Sequence, residues 1–116
     1  MKRQAAERRG RRAEGIAALY LRLFGWRIVG QRVRTPRGEV DIIARRGRTV
    51  AFVEVKARAS EAELALAIDE WRFRRVAAAA ETLIARYCRN GENARLDLIL
   101  VAPWRWPRHV TNVWHG

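Results

Sequence analysis

The amino-acid sequence predicts an α/β fold in the order αβββαβ. Three observations carry this expectation. Two stretches hold apolar residues at helical spacing, three consecutive β-patterned stretches are divided by turn residues, and a later strand, "ARLDLILVA" at 94–102, is apolar at nearly every position. A strand of that last kind is buried on both faces, so the sheet needs cover on both sides.

The first helix is expected from about Ala5 to Phe24, a run of good helix formers, with Gly25 where a left-handed C-terminal cap belongs. From Trp26 to Val33 the pattern turns β-like. "TPRG" at 35–38 then supplies turn chemistry, and "EVDIIAR" and "TVAFVEVKA" follow as the second and third strands. Residues 60–67 are ambiguous. Asp69 is a candidate cap for a second helix carrying Val76, Ala79, Ala80, Leu83, Ile84 and Tyr87, which "RNGEN" at 89–93 ends. Pro103 and Pro107 close the compact part after the apolar strand, and a weak last strand is expected at Val110 to Trp114. Trp104 and Trp106 are expected to be lids over an edge strand, the alternative being base-stacking platforms.

One domain over residues 1–116 is the simplest organisation, with 1–9 as a basic arm and 103–116 as a C-terminal extension. A chain of this length buries about two thirds of the surface its unfolded form exposes, so it needs no staples. Its hydrophobic fraction of 49% excludes compositional disorder. The one cysteine, Cys88, excludes an internal disulfide and suits a reducing cytoplasm. No Cys/His cluster has zinc spacing, His109 and His115 lie without partner spacing, and no run of about 18 apolar residues predicts a membrane span. Lys and Arg total 24 against 12 acidic residues, a net charge of +12 made almost wholly of arginine, which points to a polyanionic partner.

The charges inside the hairpin carry the chemistry. Gly47 and Arg48 suit a two-residue type II′ turn, because glycine takes the first central position. The register that follows sets Asp41 opposite Glu54 and Glu39 opposite Lys56, with Ile43 and Phe52 on the charged face and Val53 and Val55 on the other. Two opposed carboxylates at the edge of a core need a shared proton or a cation between them. A divalent metal such as Mg²⁺ or Mn²⁺ resolves the conflict, and Lys56, projecting to the same side as Glu54, reaches what the metal holds. On the first helix Glu14, Ala17, Ala18 and Leu21 follow an i, i+3, i+4, i+7 stripe, making Glu14 a candidate third acidic ligand. The bland alternatives are a Glu39–Lys56 ion pair beside a solvent-facing Asp41, and a Glu14 paired with Arg11 or Arg22.

Glu14 followed by "GEVD" and "FVEVKAR" resembles the pattern of the PD-(D/E)xK nuclease superfamily, which includes restriction endonucleases and archaeal Holliday junction resolvases. The closer resemblance is to the YraN family of bacterial proteins, with a G-E-x-x-A start, a G-E-I-D strand, an F-V-E-V-K-x-R strand and an R-F-D strand. Here these read "AEGIAALYL", "GEVDII", "FVEVKAR" and "RLDLILV", over roughly residues 10–102. The resemblance implies a restriction-endonuclease-like core with a mixed central sheet flanked by helices, Asp41 and Glu54 as metal ligands, Glu14 as an auxiliary acidic residue and Lys56 as the catalytic lysine. Two positions depart from the pattern: alanine precedes Glu14, and Arg72 stands where a lysine is usual.

On the second helix Arg72, Arg75, Ala79, Thr82, Arg86 and Arg89 fall on one stripe, and Arg32, Arg34 and Arg37 lie near the start of the hairpin, with Arg58 just beyond Lys56. Such a surface tracks phosphates without reading bases. The expected function is metal-dependent hydrolysis of phosphodiester bonds in double-stranded or branched DNA, with a homodimer by analogy to resolvases. The alternatives are a non-cleaving nucleic-acid-binding module of the same fold and a basic scaffold contacting RNA.

Overall fold

The structure, a computed structural model, describes residues 2–57 and 70–113, with side chains described for 10–57 and 74–113. The ambiguous 60–67 segment, the proposed Asp69 cap, Arg58, His115 and the side chain of Arg72 lie outside the described residues. Helix α1 runs Lys2–Leu23 and helix α2 runs Glu70–Tyr87. Strands β1 (Arg27–Thr35), β2 (Gly38–Arg46), β3 (Thr49–Ala57), β4 (Asn93–Val101) and β5 (Arg108–Val110) form one sheet in the order β1-β2-β3-β4-β5. The sheet is mixed: β3 and β4 are parallel, and every other neighbour pair is antiparallel.

Helix α1 starts at Lys2, so the stretch expected as an arm continues the helix from residue 2. It stops where expected. Gly25 has φ 86°, its N–H donates to the Arg22 carbonyl, and the Trp26 N–H donates to the Leu21 carbonyl. Those two bonds satisfy carbonyls that the helix end would otherwise orphan, and Trp26 packs in the same core as Leu21, the apolar contact that accompanies this cap.

The sheet separates two cores. On the α1 side Ala13, Ala17, Ala18 and Leu21 meet Ile42, Ala44, Ala51, Val53 and Ile99. On the α2 side Val76, Ala79, Ala80 and Leu83 meet Ile43, Phe52, Leu96, Leu98 and Leu100. Alternate residues of β4 feed opposite cores, which is why that strand is apolar almost throughout. Ala79, set on the basic stripe of α2 by the sequence reading, is fully buried, so that stripe is interrupted at its middle.

The β2–β3 hairpin has the expected register, pairing Arg46 with Thr49, Ile43 with Phe52 and Ile42 with Val53. Gly47 takes φ 59° while Arg48 stays out of the left-handed region, as a type II′ turn requires. The last strand differs from expectation. It spans Arg108–Val110 where Val110 to Trp114 was expected: Asn112, at φ 53°, turns the chain out of extended conformation just beyond, and Trp114 lies outside the described residues.

Candidate functional site

Asp41 sits where β2 leaves its partners. The β2–β3 ladder ends at Ile42↔Val53, and the Asp41 Oδ2 accepts the Val55 N–H at 2.8 Å, taking a backbone donor that a further ladder bond would have used. Side-chain alternation also breaks here. Val40 and Ile42, two residues apart, enter opposite cores. Across the sheet, Arg32 lies between the paired positions Gln31↔Ile42 and Val33↔Val40 with φ 51°, a left-handed conformation uncommon for a non-glycine residue. Local backbone strain and strand divergence therefore meet at one point on the sheet.

Glu54 and Lys56 come from the same face of β3, 7% and 5% exposed, and their side chains form an ion pair at 2.8 Å between Lys56 Nζ and Glu54 Oε1. Asp41 and Glu54 border the same cleft and act on each other electrostatically, as the sequence register implied. Burial, then the repulsion of Glu54, push the Asp41 carboxyl up to about 8 against the opposing effect of the Val55 N–H, and Glu14 adds to the repulsion. The pair opens on a cleft of about 250 Å³ lined by Gly38, Glu39, Asp41, Glu54, Arg75 and Val76. Gly38, at φ 152°, packs so closely on α2 that a Cβ there would stand 3.1 Å from the Arg75 carbonyl oxygen. Only glycine lets the hairpin approach the helix and form this wall.

Glu14 lies on the buried stripe of α1 that the sequence predicts, yet its Oε2 accepts from Arg32 Nε at 2.7 Å. Its partner is neither Arg11 nor Arg22. Glu39 is likewise not Lys56's partner. It takes Arg34 at 3.1 Å, which removes the cross-strand ion pair offered as the bland reading of Lys56. Among the described residues, no group of three or more His, Cys, Asp and Glu side chains lies at metal-holding spacing. Two carboxyls converge, and the third is engaged by an arginine.

The donor set still fits a hard divalent cation. Mg²⁺ takes one or two carboxylates and completes its shell with water and phosphate oxygens, so Asp41 and Glu54 beside an open cleft meet its needs. A cation between them also removes the like-charge repulsion that adds to burial in raising the Asp41 pKa. Of the arginines expected to face nucleic acid, Arg75 borders the cleft, Arg37 lies 3.5 Å from Glu81, and Arg86 stacks over Tyr87 at 5.4 Å. Arg32 faces Glu14.

A second charged cluster escaped the sequence reading. Asp97 on β4 is 0% exposed and accepts from Arg95 Nε and Nη2, each at 2.9 Å, and from the Asn112 N–H at 2.9 Å, with His109 Nε2 at 2.7 Å. Burial works to raise its pKa, but the bonds from His109, Arg95 and Asn112 outweigh it and hold the carboxyl below its ordinary value. His109 is thus not a residue without a partner. It joins β5 to β4, and its ring meets Tyr20 and Trp26 edge-on. The signal was a lone aspartate in an otherwise apolar strand.

The uncharacterised protein family UPF0102 matches residues 13–101. A UPF0102 protein of Rhizorhabdus wittichii is 68% identical over 99% of this chain and 98% of its own length. One from Sphingopyxis alaskensis is 63% identical over 98% of each, and one from Mesorhizobium japonicum is 50% identical over 98% of this chain and 92% of its own. The chain belongs to the UPF0102 family.

Proposed function

For this UPF0102 protein we propose metal-dependent hydrolysis of phosphodiester bonds in DNA, on a core of the restriction-endonuclease type. The observation that carries the reading is the half-buried Asp41 carboxyl beside the buried Glu54 carboxyl, with Lys56 next to them, at the mouth of a cleft. Structural ion pairs are normally arranged so that charges cancel. Here a like-charge pair is retained next to a cation already bound to one of its members, an arrangement more useful to a ligand than to stability.

Asp41 and Glu54 would hold Mg²⁺ or Mn²⁺, which polarises a phosphate oxygen and lowers the pKa of a bound water. The remaining work falls to the chain itself. The Val55 N–H fixes the Asp41 carboxylate in one orientation. Glu54 positions the Lys56 ammonium, which neutralises charge developing on the phosphate or orients the attacking water. Arg75 and the flanking arginines attract the phosphate backbone, so affinity falls steeply with salt.

One observation favours a second reading, a nucleic-acid-binding module without cleavage: Arg32 neutralises Glu14 and leaves only two acidic groups in contact. Incubation of the protein with plasmid, linear, single-stranded and four-way-junction DNA in Mg²⁺ or Mn²⁺ separates the two. The nuclease reading expects cleavage that disappears in Lys56→Ala and in Glu54→Ala. Cleavage that persists in both variants belongs to a contaminant, and DNA binding without cleavage favours the module.

A further inference from the structure

Trp104 and Trp106 do not cover the edge strand. They are 102% and 79% exposed, in the connection from β4 to β5, with Arg105 between them and Pro103 and Pro107 on either side. Exposed tryptophan is costly to solubility, and two within three residues are not explained by packing. Trp104 also holds φ 63°, a strained conformation for a residue with a bulky side chain. The loop therefore keeps a strained backbone while both indoles stay in water.

Its place in the sheet gives the pair a use. Strands β3 and β4 run parallel, with Lys56 opposite Leu100 and Ala57 opposite Val101, so the loop leaves the same end of the sheet as the Glu54–Lys56 pair. One strand spacing is about 4.8 Å, and four residues beyond Leu100 reach at most about 13 Å, putting the Trp104 backbone within about 18 Å of Lys56. That span is at most about five base steps of 3.4 Å. We infer that Trp104 and Trp106 form a stacking platform for the unpaired bases of a single-stranded nucleic-acid segment whose backbone leads toward the Asp41–Glu54 cleft. The inference rests on the nucleic-acid reading above and narrows its substrate to one with an unpaired stretch, such as a flap, gap or splayed junction arm. Two flat indoles facing solvent in a chain of net charge +12 match a ligand that offers π-faces and negative charge together. A paired duplex hides its base faces and offers only the charge.

The test is the affinity of the full chain, in EDTA, for a fluorescein-labelled 12-nucleotide oligo-dT and for a duplex of equal length. Trp104→Ala/Trp106→Ala is expected to lose about tenfold or more in single-strand affinity and less than about twofold in duplex affinity, while Trp104→Phe/Trp106→Phe recovers most of the loss. Unchanged thermal stability of both variants is expected, since neither side chain is packed. Equal losses on both ligands, or no loss on either, would overturn the platform. So would wild-type protein that fails to bind the single strand, or tryptophan emission that shifts blue with anionic phosphatidylglycerol vesicles and not with oligo-dT. None of these outcomes touches metal-dependent cleavage, which is read separately with magnesium present, so the platform and the nuclease reading fail independently.

Discussion

Asp41, half-buried, and Asp97, fully buried, are the same residue type on the same sheet, and their surroundings push them in opposite directions. Asp97 is surrounded by donors from Arg95, His109 and Asn112 and is held below its ordinary pKa, burial notwithstanding. Asp41 has one backbone donor and a carboxyl neighbour, and burial raises it to about 8. The first arrangement closes on itself, tying β5 and the chain beyond it to β4. The second is left with a deficit of positive charge at the mouth of a cleft. Burial of a carboxylate therefore does not identify a site; whether its partners already balance it does.

The largest test of that contrast is Asp97→Ala. It leaves the part-buried Arg95 and His109 without their anion, and a loss of about 1.5–3 kcal/mol in denaturant unfolding is expected. A loss below about 1 kcal/mol would make the two aspartates equivalent. Asp41→Asn should behave in the opposite sense. The folded-state pKa of Asp41 lies above its unfolded value of about 3.9, so the stability linked to it is fully present below that value and is lost as pH rises through about 8. Asparagine cannot ionise and keeps an oxygen for the Val55 N–H. The stability of Asp41→Asn relative to wild type, without metal, should therefore rise with pH between 5 and 7 at up to about 1.4 kcal/mol per pH unit. A difference independent of pH would place the proton elsewhere.

The smallest expected effect is at Arg32. Arg32→Gly relieves the left-handed backbone, worth about 1 kcal/mol, and removes the half-exposed pair with Glu14, worth about 0.2–1 kcal/mol. Net stability should stay within about 1 kcal/mol of wild type. Glu14, released from its arginine, should then strengthen Mn²⁺ binding if it lies within reach of the Asp41–Glu54 pair.

Much of this arrangement was legible in the residues. The Gly47–Arg48 turn chemistry sets the hairpin register, and the register brings Asp41 to Glu54. The small-residue stripe of α1 places Glu14 toward the sheet. What was hidden depends on departures from regular geometry. The left-handed Arg32 and the broken alternation at Asp41 follow no propensity rule, and they are why Arg32 rather than Arg11 or Arg22 reaches Glu14. The Asp97–His109 contact joins residues whose pairing only the β4–β5 register reveals. Hydrophobicity predicted that Trp104 and Trp106 would cover the sheet, but the prolines on either side hold them in a loop that does not fold back.

On the proposed function, the Asp41–Glu54 pair receives one cation. Calorimetric titration of metal-free protein with Mn²⁺ near pH 7, in two buffers of different ionisation enthalpy, tests it most directly. One ion bound per chain with release of about one proton is expected, and loss of both in Asp41→Asn. Wild-type protein that binds no Mn²⁺, or Asp41→Asn that binds it equally well, would contradict it.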